Sequence, residues 1–272
     1  MSPAADFRIF DVHHHFTSLA DTRDGGLTPE EHLERDLRGR IAEMDRLGVA
    51  QAAIGSNYQY LRPGGITDTR RVNDAALAYA RRAPDRFPVV VGVAEPHTGE
   101  PGLAEIDRCA AAGLKAMSLH ARFQGTTMDS YWVTRTLERT IERGLVPMVH
   151  ANADSKDEAP WKLEPVARAH PQTTFILLDP FTDGERPREL LHLAERCPNL
   201  VFDTALAVSW ERIEPMVRTH GPERVLFGSL TGSGVRAAGT PHILGQILEA
   251  HLDNAAKRAI LGDNARRIFG IS

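Results

Sequence analysis

Residues 33–55, LERDLRGRIAEMDRLGVAQAAIG, contain the unit that decides the fold. Apolar residues recur at three- and four-residue spacing over Leu33–Leu47, which predicts an amphipathic helix. Gly48 follows, as is typical where a helix ends. The short apolar run over Ala50–Gly55 then predicts a buried strand. A helix, a glycine and a strand therefore form one repeating unit.

The same alternation continues along the chain. Eight short apolar runs predict strands over Arg8–Val12, Ala50–Gly55, Pro88–Ala94, Leu114–Leu119, Leu145–His150, Thr174–Asp179, Leu200–Asp203 and Arg224–Ser229. Amphipathic stretches between them predict helices over Leu33–Leu47, Val72–Arg82, Leu103–Ala112, Val133–Arg143 and Arg188–Arg196. Eight such units favour an α/β fold, a single (β/α)₈ TIM barrel, with a doubly wound open sheet as the alternative.

No linker, repeat or low-complexity tract divides the sequence, so residues 1–272 are predicted to form one domain. Two longer polar segments, residues 17–29 and 57–69, are predicted to be loops at the rim of the barrel mouth.

Composition excludes several classes of protein. The net charge of -4 gives no reason to expect nucleic acid or an anionic membrane as a partner. No apolar run reaches the roughly 18 residues of a membrane span, and the N-terminus lacks a secretory signal, so we expect a cytoplasmic protein. Cys109 and Cys197 are far apart, which indicates neither a disulfide framework nor a cysteine metal site.

Residues 10–16, FDVHHHF, place three consecutive histidines after an apolar run. His13 and His15 are two residues apart, and side chains at positions i and i+2 of an extended chain point to the same side. Two imidazoles on one side are a natural pair of ligands for a divalent transition metal. His14 is expected to point to the opposite side.

In a barrel of this kind the chemistry gathers at the carboxyl ends of the strands. The predicted ends carry further histidines and carboxylates, at Glu95, His97, His120, His150, Asp179 and Asp203. One mouth is therefore predicted to hold metal ligands together with acids or bases.

Several stretches resemble the amidohydrolase superfamily. Residues 11–15, DVHHH, are similar to its metal motif. Residues 40–49, RIAEMDRLGV, 226–229, LFGS, and 260–270, ILGDNARRIFG, resemble the amidohydrolase 2 branch in order and spacing. That branch includes aminocarboxymuconate semialdehyde decarboxylase and related decarboxylases. The resemblance runs from Arg8 to Gly270.

The resemblance implies that His13, His15 and His150 take the family's three histidine metal positions. It also implies a histidine at the end of strand six, acting as acid or base, and an aspartate after the strand-eight Gly-Ser that binds the metal and orients water. This chain has Asp179 and Leu230 at those two positions. The usual mechanism therefore does not transfer directly.

Two carboxylates are candidates to replace the missing aspartate. Asp179 with the three histidines would make a four-coordinate zinc site, whereas two histidines and one carboxylate would instead suit iron(II). Asp179 and Asp203 are both candidates for a catalytic base, and each could instead accept hydrogen bonds from loop amides. His120 is a candidate acid or base, or a ligand of a substrate carboxylate.

Loop residues around the mouth supply the predicted substrate contacts. Their cationic, aromatic and amide groups suit a small ring-bearing or anionic substrate. These candidates are Arg122, Phe123, Gln124, Tyr58, Tyr60, Arg62 and Trp161.

Three functions are compatible with this sequence. The leading one is a metal-dependent enzyme that hydrolyses or decarboxylates a small organic acid, lactone or amide. It would use one divalent metal, zinc first, with iron or manganese as alternatives. The second is a repurposed barrel acting as a lyase, isomerase or iron-dependent oxygenase, and the third is a metal-poor ligand-binding pseudoenzyme. The expected partner is a small-molecule substrate, and a homodimer agrees with the resemblance.

Overall fold

Eight parallel strands follow one another around one sheet in chain order. The structure is a computed structural model and describes residues 7–16, 29–56, 63–182, 187–232 and 242–271. The strands are β1 (Ile9–Phe16), β2 (Val49–Ser56), β3 (Val89–Val93), β4 (Ala116–Leu119), β5 (Val146–His150), β6 (Phe175–Leu178), β7 (Leu200–Asp203) and β8 (Val225–Leu226). The predicted (β/α)₈ barrel is confirmed.

Helices separate the strands along the chain. The α-helices are α1 (Pro29–Leu47), α2 (Ile66–Ala80), α3 (Glu100–Ala111), α4 (Tyr131–Glu142), α5 (Glu164–Ala169), α6 (Pro187–Arg196), α7 (Glu214–His220), α8 (His242–Glu249), α9 (Asn254–Arg258) and α10 (Asn264–Phe269). Short 3₁₀ turns at Pro96–Thr98, Pro160–Leu163, Trp210–Arg212 and Pro222–Arg224 and a π-helical turn at Ala259–Asp263 accompany them. None of the described helices is long and apolar enough to cross a membrane.

Predicted element boundaries are wrong by several residues in places. Strand one continues to Phe16, so the histidines lie inside it and do not follow it. The predicted loop over residues 57–69 ends earlier, because α2 begins at Ile66. Residues 17–28 and 57–62 of the two predicted loops lie outside the described residues.

A bulge in β1 sets which histidines face the barrel. Asp11 pairs with Ala52 and His14 pairs with Ile54, so β1 has one more residue than β2 between these two pairs. An extra residue interrupts the regular alternation of side chains between the two faces of a strand. His13 consequently lies inside the mouth, as Val12 does lower in the barrel, while His14 turns back toward Asp11.

The barrel closes between β1 and the segment after β8. Since β8 spans only Val225–Leu226, most of this contact comes from residues 227–231. Three backbone hydrogen bonds of 2.8 to 3.0 Å join them to Val12, His13 and His15. We call β1 and residues 227–231 the closing seam.

Two apolar layers hold the barrel together. The inner layer fills the barrel with side chains such as Phe10, Val91, Met148 and Ile176. The larger outer layer lies between the sheet and the surrounding helices and includes Leu103. The polar side chains at the mouth therefore rest on an apolar, packed layer.

Candidate metal centre at the mouth of the barrel

The predicted metal ligands lie at the carboxyl ends of three strands and are buried. His13 and His15 belong to β1, His150 ends β5, and Asp179 follows β6 directly. One ligand atom from each of His13, His150 and Asp179 lies within 4.8 Å of the other two. We call these three residues the ligand cluster. The ring of His15 lies beside it, with its centroid 5.0 Å from that of His13.

Asp203 fixes the orientation of His13. Nδ1 of His13 lies 2.7 Å from Oδ2 of Asp203, and because a carboxylate accepts, Nδ1 is the donor. In the neutral ring, Nε2 of His13 then carries the lone pair, and this atom is buried and without a hydrogen-bond partner among the described residues. A carboxylate behind an imidazole is the arrangement that orients a metal-ligating histidine.

Backbone carbonyls orient the other two histidines. Nδ1 of His150 donates to the carbonyl of Leu119 at 3.2 Å, and Nδ1 of His15 donates to the carbonyl of Ser56 at 3.1 Å. Both rings therefore keep the Nε2 lone pair. Nε2 of His150 lies 3.8 Å from Oδ2 of Asp179.

Asp179 contributes a carboxylate that is not used to hold the loop. Its Oδ1 is buried and has no hydrogen-bond partner in the described part of the chain. Its backbone amide donates to Oδ1 of Asp203 at 2.8 Å, which supports a left-handed conformation with φ of 59°. Asp203 accepts from Ala205 as well, at 3.2 Å. The predicted role of accepting loop amides therefore belongs to Asp203, whereas the Asp179 carboxylate faces His13 and His150.

Burial and neighbouring charges shift the pKa values of the ionisable groups at the mouth. Burial lowers the pKa of His13, but the Asp179 and Asp203 carboxylates outweigh it and raise the pKa to about 9. Burial, opposed by the His13 charge and reinforced by the Asp203 charge, raises the pKa of Asp179 to about 7. Burial and the neighbouring charge of His13 hold the pKa of His15 well below its usual range. Burial and the charges of His120 and His13 do the same to the pKa of His150. The pocket thus holds a proton among carboxylates, at a place where a cation is favoured.

A histidine–glutamate pair, His120 and Glu158, lies against the ligand cluster. The ring of His120, just after β4, stacks on His150 with centroids 3.9 Å apart and planes 15° apart. Nδ1 of His120 is hydrogen-bonded to Oε1 of Glu158, which also accepts from the backbone amide of Arg122 at 2.9 Å. Burial lowers the pKa of His120, against the opposing effect of Glu158.

Glu158 is a site residue that the sequence pattern does not reveal. It is fully buried, yet it belongs to the polar run Ser155-Lys156-Asp157-Glu158, which reads as an exposed loop. Its one sequence signal is the apolar stretch Ala159-Pro160-Trp161 directly after it. Only the loop path after β5 reveals that its side chain turns inward.

Comparison with known proteins places this chain in a family. The amidohydrolase family model matches residues 10–271, nearly the whole chain. The chain belongs to the amidohydrolase family. No curated protein sequence is similar enough to this amidohydrolase to count as a match.

Solved structures share the fold at low sequence identity. 5-Carboxyvanillate decarboxylase LigW from Sphingomonas paucimobilis has a TM-score of 0.76 at 18% identity, covering 98% of this chain and 100% of that one. The 5-carboxyvanillate decarboxylase of Novosphingobium aromaticivorans, complexed with manganese and 4-hydroxy-3-methoxy-5-nitrobenzoic acid, has 0.75 at 16%, covering 97% and 96%. 4-Oxalomesaconate hydratase LigJ from Rhodopseudomonas palustris has 0.73 at 16%, covering 96% and 95%.

Strand eight of this amidohydrolase ends without a carboxylate. Leu230 is buried and, like Asp179, has a left-handed backbone, with φ of 59°. Its amide donates to the carbonyl of His13 at 2.8 Å. An alkyl side chain neither binds a metal nor moves a proton, so Leu230 contributes to closing the barrel.

The aspartate of the amidohydrolase histidine motif also holds the seam. Asp11 is buried and accepts from the backbone amides of His13 and Ser229, at 3.1 and 2.9 Å. It accepts in addition from the Ser229 hydroxyl and from Nδ1 of His14. This network keeps His14 out of the ligand cluster.

The candidates for substrate contact after β4 lie in different environments. Phe123 is 53% exposed, with its ring 4.3 Å from that of His120, and the Arg122 guanidinium lies 5.8 Å over the Phe123 ring. Gln124 is buried, and its amide accepts from the His120 backbone and donates to Ala94 and Glu95. Phe123 and Arg122 therefore remain candidates, while Gln124 holds the loop.

Of the remaining candidates, the structure describes only Trp161. Trp161 lines a surface depression with Glu189, His192 and Arg196 of α6, so its predicted contact with substrate gains no support. Tyr58, Tyr60 and Arg62 lie outside the described residues.

Proposed function

We propose that this amidohydrolase is a metal-dependent decarboxylase of a small organic acid, with an aromatic acid as the first candidate. The observation that carries the proposal is the contact between the ligand cluster and His120, a proton carrier stacked directly on one of its histidines. Two of the structural relatives are named decarboxylases, which supports this reaction over hydrolysis.

The donor set fits one divalent metal. Neutral His13 and His150 offer lone pairs at Nε2, and Asp179 offers a buried carboxylate oxygen without a hydrogen bond among the described residues, while His15 lies close enough to be a further candidate. Two imidazoles and a carboxylate suit zinc, manganese or iron(II). When bound, the metal would supply positive charge that orients a carboxylate or phenolate of the substrate and polarises it.

The protein's own groups would manage the proton. In decarboxylation the bond to the carboxyl carbon breaks, CO₂ leaves, and the electron pair stays on the substrate carbon, which then needs a proton. His120 is placed to deliver this proton from Nε2, since its Nδ1 is held by Glu158. Phe123, beside His120, offers a ring face for an aromatic substrate.

A reaction that adds water is the second candidate. Asp179 has a buried carboxyl with a pKa raised to about 7, which suits a base that takes a proton from water near neutral pH. One structural relative is named a hydratase. Lactones, amides and unsaturated acids therefore belong in the same substrate screen as aromatic acids.

Metal content is the first test. Protein purified without added metal or chelator, analysed by plasma mass spectrometry, is expected to contain about one divalent ion per chain. Asp179→Asn is expected to lose it and the exposed Asp154→Asn to keep it. Equal and negligible metal in all three proteins, even after dialysis against Mn²⁺ or Zn²⁺, would rule out this ligand cluster.

Substrate turnover is the second test. The metal-loaded enzyme is assayed against hydroxylated benzoic acids for CO₂ release, and against lactones, amides and unsaturated acids for water addition. CO₂ release that His120→Gln abolishes supports the decarboxylase. Water addition without CO₂ release would move the assignment to the second candidate.

A further inference from the structure

Glu158 is fully buried, although it lies in a loop. It follows β5 and has no exposed surface, and its Oε1 binds both Nδ1 of His120 and the Arg122 amide. Its Oε2 is buried with no hydrogen-bond partner in the part of the chain that the structure describes. A buried carboxylate oxygen left unpaired is costly, so packing alone does not account for a glutamate here.

Glutamate and glutamine, its neutral isostere, have different effects on the protonation of an imidazole. A carboxylate can only accept, so it requires a proton on Nδ1 of His120 and stabilises that ring when it becomes charged. A glutamine amide can accept through oxygen or donate through nitrogen, and it carries no charge. The Arg122 amide would be satisfied by either side chain, so this bond does not explain the charge.

We infer that Glu158 is the positioning residue of His120, fixing the tautomer in which Nδ1 carries the proton and Nε2 exchanges protons with the substrate. The inference rests on the proposed function for what Nε2 does, whereas the tautomer itself is independent of it. Glu158 reaches the reacting atoms only through His120.

The step balances without any further reagent. His120 takes a proton from water at Nε2 and becomes an imidazolium facing Glu158, and the hydroxide left behind combines with the released CO₂ to give bicarbonate. The carbon–carbon bond to the carboxylate breaks, CO₂ leaves, and the electron pair on the substrate carbon takes the proton from Nε2. His120 returns to the neutral form with its proton on Nδ1.

Nitrogen NMR tests the tautomer without any substrate. Protein labelled with ¹⁵N-histidine is compared with Glu158→Leu and Glu158→Gln, and His120→Gln assigns the His120 signals. We expect neutral His120 of the unaltered chain to carry its proton on Nδ1. Glu158→Leu should lose this preference, while Asp157→Asn, which removes a charge from the same loop, should keep it.

Kinetics test the catalytic consequence. For the best aromatic acid in the screen, Glu158→Gln is expected to lower kcat about 100-fold while KM changes by less than about 3-fold, because orientation is largely kept and the charge is lost. Asp157→Asn should change neither. Circular dichroism confirms that each variant folds, and Glu158→Gln preserves the shape should Glu158→Leu fail.

The outcomes separate the two claims. His120 protonated on Nε2 in the unaltered chain, or a tautomer unchanged in Glu158→Leu, would overturn the positioning role. An unchanged kcat in Glu158→Gln would overturn the contribution of the Glu158 charge to catalysis. If the unaltered enzyme releases no CO₂ but the tautomer depends on Glu158, the decarboxylase assignment fails and the positioning of His120 stands.

Discussion

At the scale of single residues, Asp203 affects the site through His13. Its carboxylate keeps the proton on Nδ1 and the lone pair on Nε2. An asparagine can offer its amide nitrogen instead, which permits the wrong tautomer. We therefore expect Asp203→Asn to weaken metal binding by about 10- to 100-fold. Titration of Mn²⁺ and Zn²⁺ against a competing chromogenic chelator measures this, with Asp154→Asn as the control. Equal affinities would mean that Asp203 only holds the loop.

The proton on the ligand cluster predicts how metal binding depends on pH. The pKa values of Asp179 and His13 lie near 7 and 9, and a metal needs the carboxylate and a neutral imidazole. Apparent metal affinity should therefore rise from pH 6 to pH 9 as the competing protons leave. The same chelator titration across this range measures it. A flat profile would show that the metal binds elsewhere.

Without metal, the contribution of Asp179 makes the stability of the fold decrease as pH rises, whereas metal affinity increases. The unfolded chain loses this proton near pH 4, whereas the folded chain keeps it to about pH 7. The contribution of Asp179 to the free energy of unfolding should therefore be lost as pH rises through this window. Urea unfolding at pH 5 and 7.5 measures the free energy of unfolding of the metal-free protein and of Asp179→Asn. Between these two pH values the free energy of unfolding should fall more for the unaltered chain than for the variant.

At the scale of elements, the turn after β8 needs a residue without a side chain. A Cβ at Gly228 would lie 2.7 Å from Oδ2 of Asp203 and 3.0 Å from Cβ of His13. We expect Gly228→Ala to lower the free energy of unfolding by about 1–3 kcal/mol and to weaken metal binding, because the added methyl group pushes Asp203 away from His13. Urea unfolding and chelator titration measure both effects.

Gly245 provides the matched control for that substitution. It lies in α8, and a Cβ there would meet nothing within 4 Å. Gly245→Ala should leave metal binding unchanged and raise the free energy of unfolding by about 0.5–1 kcal/mol, because alanine favours a helix. A loss of stability in Gly245→Ala as large as in Gly228→Ala would contradict the steric argument.

The elements were more predictable than the contacts between them. Apolar periodicity predicts strands and helices well, because burial of one face is a local property of the sequence. The β1 bulge was not predictable, since it depends on pairing with β2 at Ala52 and Ile54. The proximity of His13, His150 and Asp179 follows from the barrel rule, whereas the Glu158 contact depends on a loop path that polar residues do not encode.

At the scale of the whole molecule, metal binding should stabilise the fold. A ligand that binds only the folded chain adds about 4 kcal/mol at 1,000 times its Kd, and a chain of this size gains about 2–4 °C for each kcal/mol. We expect Tm to rise by about 10 °C with saturating Mn²⁺ and to return with chelator. Calorimetry of Asp179→Asn, where the rise should be much smaller, excludes a general salt effect.

The closing seam has a kinetic consequence. The backbone that completes the barrel between β1 and residues 227–231 also carries His13 and His15. A transient local opening that separates β1 from residues 227–231 also disrupts the site, so the barrel and the site open in the same event. Amide hydrogen exchange at Val12, His15 and Leu230 should therefore slow on metal loading, while amides of β4 and β5 change little. The metal site and the closure of the barrel therefore depend on the same stretch of backbone.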